Sequence, residues 1–412
     1  MRNVIYNLLL FVFLFISCSK KTSSSNEGNI INLTSGFNNI QSIRLSEIAD
    51  SITFIPFETT PQSLMGQGQR NIIFDSKFIF FYEKYFDWNG KYCGSIIKKG
   101  NGPFEEPEGG RLLYKDNHFY SKGSKFIEYD INGKPTGKLR YLYNAKEFES
   151  NDFLRGGVNF FFVGDYFVVY DFPTTMYYFN KDFETISSRE VFKADSLPPW
   201  LPPIGYSKYI TNYKDRILFY NFINDTIFYM TDTDLEPQWI VKFDEKLRLP
   251  TQVILDNQKL LEDFRISTQG GGSIENSKMV QQTDNKHKVI SVYETESHVV
   301  FFMTEIIQFA ENRGKTPPEP YIIYYDKNTG ETTRVKGNGF EDDILDMDFF
   351  YPQLGIFEGK MITYIWPHYL FYFIDKCKHF NREVNPRLIT LLEEHELDDN
   401  PILIVAHLKK DF

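Results

Sequence analysis

The chain has 412 residues, of which 42% are hydrophobic and 24% are charged, and this composition is that of a globular protein with a sizeable core. Its formal net charge of -10 and the lack of a basic stripe argue against binding to phosphate backbones, so we expect no nucleic-acid partner. The 40 Phe and 26 Tyr residues favour strands, because aromatic side chains fit the half-buried surface of a sheet.

The first residues have the pattern of a secretory signal. After Arg2 comes an apolar run, residues 8–16, that has the length of a signal-peptide core and is too short to span a bilayer. The run leads to Cys18 in a sequence that resembles a bacterial lipobox, although Phe15 stands where Leu is typical. We therefore predict a signal peptide over residues 1–17 and lipidation of Cys18, with a plain secretory signal as the alternative.

A polar, Ser-rich segment follows the predicted lipidation site. Such segments stay disordered, so we predict a flexible tether over residues 18–40 and a folded domain over residues 41–412. A lipid on Cys18 would attach this domain to a membrane without spanning it. Residues 19–21 contain no acid, which favours a periplasm-facing outer-membrane lipoprotein of the bacterial cell envelope over a surface-exported one.

A repeated pattern of strand signals then runs along the chain. Each copy has an apolar strand, a turn rich in Asp, Asn or Gly, and a second strand. The aromatic residues that precede the turns are separated by steps of 43, 50, 50 and 96 residues. The last step contains residues 249–264, whose apolar spacing predicts a short amphipathic helix. The aligned aromatic residues are Phe86, Tyr129, Phe179, Tyr229 and Tyr325.

A period of roughly 40 to 50 residues with four strands per unit is typical of a β-propeller blade. Five full units lie between residues 71 and 337. Strand signals are left over at both ends of the chain, at residues 50–60, 355–366 and 399–409. They predict a sixth blade built from both ends, which would close the ring and remove exposed sheet edges.

We therefore predict an all-β fold, a six-bladed β-propeller of four-stranded antiparallel blades with short helical insertions. One helix is predicted after Asn385, which has the position of an N-cap, with Pro386 as the first helical residue. Seven blades are the alternative, in which the segment around Tyr372 forms its own unit.

Motifs for chemistry are scarce. The seven His residues show neither HxxxH nor HExxH spacing, and the chain has no CxxC pair, so the sequence predicts no metal centre or other cofactor. It has no GxSxG motif, and its 55 acids offer too many carboxylate pairs to select a catalytic one, so we name no catalytic residue. Cys93 and Cys377 are consistent with either a disulfide bond or two separate thiols.

Two acidic loops are near-copies of each other. Residues 99–106 (KGNGPFEE) and 336–343 (KGNGFEDD) differ mainly by one inserted proline, and each follows the fourth strand of a unit, so we expect them on the same face of the ring. They predict either inter-blade turns that need glycines at positive φ, or an acidic rim for a polyhydroxylated ligand or a cation such as Ca²⁺. The acids of that rim are Glu105, Glu106, Glu341, Asp342 and Asp343.

An aromatic and proline-rich stretch, residues 197–206 (LPPWLPPIGY), lies between the third and fourth units. Trp200 and Tyr206 are candidates for stacking on a sugar ring or clasping a peptide, because flanking prolines would hold them stiff and lower the ordering cost of binding. The alternative is an ordinary inter-blade loop with Trp200 packed inward.

The order of these segments carries a family resemblance. The chain resembles the six-bladed β-propeller lipoproteins of Bacteroidetes, long catalogued as domains of unknown function. The resemblance lies in the lipobox-like sequence followed, in this order, by residues 43–60, 98–109, 224–243 and 398–409. The resemblance covers nearly all of the mature chain. It implies an NHL-like ring on a lipid tether, and it supplies no catalytic residues.

Two functions are consistent with these features. The first is a non-catalytic binding or scaffold protein for a glycan, a peptide or a partner protein, and the lack of a catalytic motif favours it. The second is a glycan-active hydrolase or lyase with a loop-built site on one propeller face. Converging carboxylates in such a site would favour the enzyme, whereas aromatic and neutral polar groups would favour binding.

Overall fold

The computed structural model describes most of the chain, namely residues 29–66, 72–106, 110–123, 125–141, 159–171, 175–191, 210–214, 216–221, 224–232, 234–249, 286–306 and 320–412. The predicted signal peptide, Cys18, nearly all of the predicted helix over 249–264, Trp200 and Tyr206 lie outside the described residues. No helix in the described part of the chain has the length and apolarity needed to cross a membrane.

Short elements begin the described chain and are followed by five sheets of four consecutive antiparallel strands, which are blades 1 to 5. The first elements are β1 (Asn29–Asn32), α1 (Leu33–Gly36), β2 (Ile40–Gln41), α2 (Leu45–Ile48) and β3 (Ala49–Pro56). Blade 1 comprises β4 (Ile72–Phe74), β5 (Phe78–Phe81), β6 (Lys84–Asp87) and β7 (Tyr92–Ser95). A short parallel pair, β8 (Lys98–Lys99) and β9 (Glu105–Glu106), precedes blade 2.

The next four blades repeat this order. Blade 2 comprises β10 (Arg111–Lys115), β11 (His118–Lys122), β12 (Lys125–Tyr129) and β13 (Pro135–Tyr141). Blade 3 comprises β14 (Asn159–Val163), β15 (Tyr166–Asp171), β16 (Thr175–Phe179) and β17 (Thr185–Glu190). Blade 4 comprises β18 (Ile210–Tyr213), β19 (Arg216–Asn221), β20 (Thr226–Thr231) and β21 (Asp234–Lys242). Blade 5 comprises β22 (Lys286–Glu294), β23 (His298–Ile306), β24 (Tyr321–Asp326) and β25 (Thr332–Val335).

Both ends of the described chain build the sixth blade, as the sequence predicts. Its strands pair in the order β26, β27, β28 and β3, so the early strand β3 is the outermost one. Ile404 of β28 pairs with Phe54 of β3, and the antiparallel register extends along both strands. The remaining elements are β26 (Gly355–Phe357), β27 (Lys360–Ile365), α3 (Pro367–His379), α4 (Pro386–Glu393) and β28 (Ile402–Leu408).

The segment around Tyr372 is helical, so the seven-blade alternative is wrong. Tyr372 lies in α3, where Leu370, Ile374 and Cys377 form the buried face at helical spacing. The helix predicted after Asn385 is confirmed as α4, and the Asn385 side chain accepts a hydrogen bond from the Arg387 backbone N–H at 3.1 Å.

Cys377 is buried in α3, whereas Cys93 is exposed on β7, and both are free thiols. The alternative of a disulfide bond between them is therefore not formed. Separate thiols are the other reading that the sequence left open, and Cys377 fills its helix face as a small apolar side chain would.

Two N-terminal strands extend the outer edges of blades 4 and 5. β1 pairs in parallel with β21, and β2 pairs in parallel with β25. The structure therefore includes residues 29–40 in the propeller, whereas the sequence places them in the flexible tether. Two-residue and four-residue strands are too short to give a periodic signal, which explains the difference.

Six apolar clusters fill the spaces between neighbouring blades, and together they close the ring. Aromatic side chains dominate several of them; the rings of Phe126 and Phe167, from blades 2 and 3, lie 4.6 Å apart. Representative pairs across the six junctions, starting between blades 6 and 1, are Leu403 and Ile79, Phe80 and Phe119, Phe126 and Phe167, Tyr178 and Phe219, Leu218 and Phe301, and Phe302 and Ile402.

The repeated turn between the third and fourth strands has a local cause. The side chain of Asp130 accepts hydrogen bonds from the backbone N–H groups of Asn132 (2.9 Å) and Lys134 (2.8 Å), which closes the turn without help from the core. Asp87, Asn180 and Asp326 do the same in blades 1, 3 and 5. This explains why an aromatic residue followed by Asp or Asn recurs along the sequence.

The two faces of the ring carry different connections. The turns between strands 1 and 2 and between strands 3 and 4 are short, whereas the connections between blades and between strands 2 and 3 are long at several places. We call the face with the long connections the loop face. It carries residues 96–106 between blades 1 and 2, residues 336–354 between blades 5 and 6, and the helices α3 and α4. Long loops on a rigid scaffold are where binding residues concentrate.

Candidate ligand-binding site

The first acidic loop encloses a lysine ammonium. The side chain of Lys125 is almost fully buried, and its Nζ donates hydrogen bonds to the carbonyl oxygens of Gly102 (2.7 Å) and Glu105 (2.6 Å). These carbonyls are the kind of ligand that Ca²⁺ takes, but here they accept hydrogen bonds from a cation of the protein itself. The loop is therefore organised around Lys125.

The two carboxylates of this loop also have partners inside the protein. Glu105 Oε2 accepts from the Gly102 N–H at 2.9 Å, and Glu106 Oε1 accepts from the Lys125 N–H at 3.0 Å. A Cβ atom on Gly100 would lie 2.1 Å from Glu105 Oε2, so a side chain there would displace the end of the Glu105 side chain. Positive φ, the expected reason, applies in the second loop, at Gly337 (φ +77°).

The second acidic loop packs against the N-terminal segment at the outer edge of blade 5. Glu341 Oε2 accepts from the Ser42 hydroxyl at 3.1 Å, and Asp343 Oδ1 accepts from the Ser46 N–H at 2.9 Å. Partial burial acts to raise the pKa of Asp343, but its hydrogen bonds from Ser46 outweigh that effect and the pKa is lowered. These two acids bind the polypeptide's own segment 42–46.

Asp342 has a structural position between them. It is 4% exposed, and its Oδ1 accepts hydrogen bonds from the N–H groups of Ile344 (3.2 Å) and Leu345 (2.9 Å). Burial raises the pKa of Asp342, and its Oδ2 has no hydrogen-bond partner among the described residues. The carboxyl group closes the turn that starts the next segment of chain.

The two loops are not brought together by any contact between described residues. The first loop contacts blade 2 and the second contacts the outer edge of blade 5, with blades 6 and 1 between them in the ring. Among the described residues, no three His, Cys, Asp or Glu side chains form a group that could hold a metal ion. Ligand binding by the acidic rim, like Ca²⁺ binding, stays a prediction.

A cavity of about 410 Å³ lies at the junction of blades 5 and 6, on the loop face. This volume falls in the range of ligand pockets, roughly 300–1,000 Å³. Its walls come from the start of β24, the loop between the blades and the end of β27. The described residues that line it are Pro320, Asn338, Phe349, Tyr351, Gln353, Leu354 and Tyr364.

A short bridge within the inter-blade loop assembles these residues. Phe340 and Phe350 form an antiparallel bridge, with N–H···O distances of 3.0 and 2.7 Å. A Cβ on Gly339 would lie 2.4 Å from the Phe350 carbonyl oxygen, so only glycine permits this approach. The bridge folds the loop back on itself and places Asn338 on the same cavity as residues 349–354.

The cavity is lined by aromatic and neutral polar groups. None of its described lining residues carries a charged side chain, and burial raises the pKa of the Tyr351 hydroxyl further above neutrality. Asn338 is half-buried and Gln353 is exposed, and neither side-chain amide is hydrogen-bonded to another described residue, so both can bond a ligand. Phe349 is 43% exposed at the rim. The arrangement suits binding of a neutral ligand with both apolar and polar faces.

Of the seven described lining residues, only one lies in a loop that the sequence predicts as a candidate site. Asn338 lies within the second acidic loop, whereas the other six lining residues were not named as candidates. A signal for them is the run FFYPQL at 349–354, in which two aromatic residues, a Tyr-Pro pair and an amide follow an acidic turn. The run gives no helical or strand period, so its side chains become a site only when blade 6 brings Tyr364 to it.

Comparison with known proteins supports the fold. A family model described as "Domain of unknown function (DUF4934)" matches residues 28–407, and no curated protein matches the sequence. The chain is similar to a Bacteroides fragilis NCTC 9343 protein named as an exported protein, with a TM-score of 0.61 and 16% identity over 93% of this chain and 100% of that one. At this identity the likeness shows the fold alone.

Two more distant structures share lower similarity. BamB from Moraxella catarrhalis has a TM-score of 0.27 and 11% identity, over 69% of this chain and 66% of that one. The N-terminal domain of Nup159 has a TM-score of 0.35 and 9% identity, over 82% of this chain and 77% of that one. Neither similarity is high enough to bear on function.

Proposed function

The chain belongs to the family described as "Domain of unknown function (DUF4934)", and we propose that it is a non-catalytic binding protein of the cell envelope whose ligand occupies the cavity between blades 5 and 6. The ligand is a glycan, a peptide or an exposed segment of an envelope protein. The observation that carries this proposal is the lining of the cavity, which combines aromatic walls with two unpaired amides and no charge among its described residues.

The enzyme alternative requires a different lining. Glycoside hydrolysis uses two carboxylates that flank the scissile bond at a defined separation. None of the described residues around the cavity is an acid, and the acids of both acidic loops accept hydrogen bonds from the protein's own groups. The described lining therefore favours binding over glycoside hydrolysis at this cavity.

The proposed location is the periplasmic side of the outer membrane, with Cys18 carrying the lipid. The first described strand begins at Asn29, eleven residues beyond Cys18, and eleven extended residues span at most about 40 Å. A propeller held this close to a bilayer would meet ligands at the membrane surface. The Bacteroides fragilis protein that shares this fold is named as an exported protein, and our proposal gives this chain an extracytoplasmic position as well.

The proposal is tested by filling the cavity. In Asn338→Trp, a bulky ring would occupy the space next to Tyr351, so we expect loss of ligand binding with little change in melting temperature. Asn101→Trp is the matched control, because Asn101 has the same place in the first loop, is exposed and lies outside the cavity. The full chain in detergent is screened against an oligosaccharide array, a peptide library and isolated outer-membrane proteins.

Binding by the wild type and Asn101→Trp, but not by Asn338→Trp, supports the proposal. Equal binding by all three proteins places the ligand elsewhere and contradicts it. Conversion of a bound probe to products by the wild type would instead favour the enzyme.

A further inference from the structure

We infer that the cavity between blades 5 and 6 takes a neutral saccharide, whose ring packs against Tyr364 and Tyr351 while its hydroxyls bond the amides of Asn338 and Gln353. This inference rests on the proposed binding function and names the ligand class of the same site. It is carried by the combination of aromatic lining residues with two neutral amides that bond no other described residue.

The aromatic walls select for a ligand with an apolar face. Phe349, Tyr351 and Tyr364 line the cavity, and the face of an aromatic ring carries partial negative charge. A pyranose ring presents a patch of weakly positive C–H groups on one face, which packs well against such a ring. Tyr351 is held in place by its contact with Phe302, with ring centroids 5.4 Å apart, so this wall is preorganised.

The polar groups select for hydroxyls. A side-chain amide offers two donors and an acceptor, and a sugar hydroxyl both donates and accepts, so Asn338 and Gln353 can each bond neighbouring hydroxyls. Neither amide is paired with another described residue. A purely apolar ligand would take the half-buried Asn338 amide out of water without a partner, which costs about 1–3 kcal/mol for a buried group, whereas Gln353 is exposed.

The described lining residues are uncharged, and this favours neutral sugars over charged ligands. An acidic sugar or a free peptide terminus would enter a cavity in which no described lining residue can pair with its charge. Burial of an unpaired charge is costly. A neutral saccharide carries no charge, so its binding in this cavity avoids that cost.

The exposure of Phe349 favours a saccharide that is longer than the cavity itself can hold. Phe349 lines the cavity and is 43% exposed, so part of its side chain remains in solvent. A saccharide whose end lies between Tyr351 and Tyr364 can continue across Phe349. We therefore expect an oligosaccharide to bind more tightly than a disaccharide of the same sugar.

Isothermal titration of the full chain in detergent tests this assignment. The probes are neutral disaccharides and hexasaccharides of glucose, mannose, galactose or xylose, with uronic-acid oligosaccharides and tetrapeptides for comparison. We expect at least one neutral hexasaccharide to bind, Tyr364→Ala to weaken its affinity about tenfold, and Tyr364→Phe to retain most of it. Phe349→Ala should weaken the hexasaccharide more than the disaccharide.

Tyr372→Ala is the matched control, because Tyr372 is 76% exposed on α3 and does not line the cavity. It should change affinity less than twofold. Binding of uronic-acid or peptide probes alone, with dependence on Tyr364, overturns the saccharide assignment while the proposed binding function stands. A lack of any Tyr364-dependent binding overturns the assignment too, and the Asn338→Trp comparison then decides separately whether the cavity binds anything.

Discussion

Glycines in the repeated turns show how single residues fix the relation between blades. Gly90 and Gly330 both follow the Asp that closes the turn between strands 3 and 4, and both have positive φ (+80° and +76°). They differ in surroundings. A Cβ on Gly90 would lie 1.9 Å from the carbonyl oxygen of Pro56 in blade 6, whereas a Cβ on Gly330 would meet no atom within 4 Å. Gly90 therefore serves the contact between blades 1 and 6 as well as its own turn.

This difference predicts unequal effects of the same substitution. Gly330→Ala should lower the free energy of unfolding by about 1 kcal/mol, the cost of a left-handed backbone with a side chain. Gly90→Ala should lower it by about 3 kcal/mol or more, because overlap with Pro56 adds to that cost. Urea unfolding of the two variants measures both values. Equal losses would show that the Gly90 contact does not matter to the ring.

Secondary-structure elements can be predicted from the sequence where the same short residue pattern recurs from blade to blade. The aromatic residue followed by Asp or Asn marks the third strand and its turn in blades 1, 2, 3 and 5, so the blade period could be read from the sequence. The helix α3 was not predicted, because its many aromatic residues favour strands. Pro367 at its first turn and the apolar spacing of Leu370, Ile374 and Cys377 were the available signals.

We expect the ammonium group of Lys125 to stabilise the first acidic loop. Lys125→Met keeps the aliphatic bulk but removes the ammonium that bonds the carbonyls of Gly102 and Glu105. Hydrogen bonds from a charged donor contribute about 1.5–3 kcal/mol, so the amides of residues 100–106 should exchange with solvent about tenfold faster or more. Hydrogen–deuterium exchange measures this, and the control is Lys98→Met, because Lys98 is an exposed lysine directly before the loop. Similar rates in both variants would refute the role of Lys125.

At the scale of the whole molecule, the candidate site lies where the ring closes. Blade 6 combines β3 with β26, β27 and β28, and the sequence predicted this closure because strands were left over at both ends. The cavity was not predictable in the same way. Its lining joins Pro320, Asn338 and Tyr364 through pairing between separate strands and through the Phe340–Phe350 bridge, and none of these contacts leaves a periodic trace in the sequence.

The acidic rim and the cavity share one inter-blade loop, so the two candidate sites can be compared directly. Glu341 is exposed and bonds Ser42 at the outer edge of blade 5, whereas Asn338, three residues earlier, lines the cavity. Neutral aromatic and amide groups are complementary to an uncharged ligand, whereas each carboxylate of the rim already accepts at least one hydrogen bond from the protein's own groups. These differences are the reason that we propose the cavity, and not the acidic rim, as the ligand-binding site.

The most direct test of this conclusion is the affinity of Tyr364→Ala and Glu341→Gln for the neutral saccharide probe that binds the wild type best. Titration calorimetry should show about a tenfold loss for Tyr364→Ala, since an aromatic wall is removed, and less than a twofold change for Glu341→Gln. A large loss in Glu341→Gln with an unchanged affinity in Tyr364→Ala would contradict the account and assign the ligand to the acidic rim.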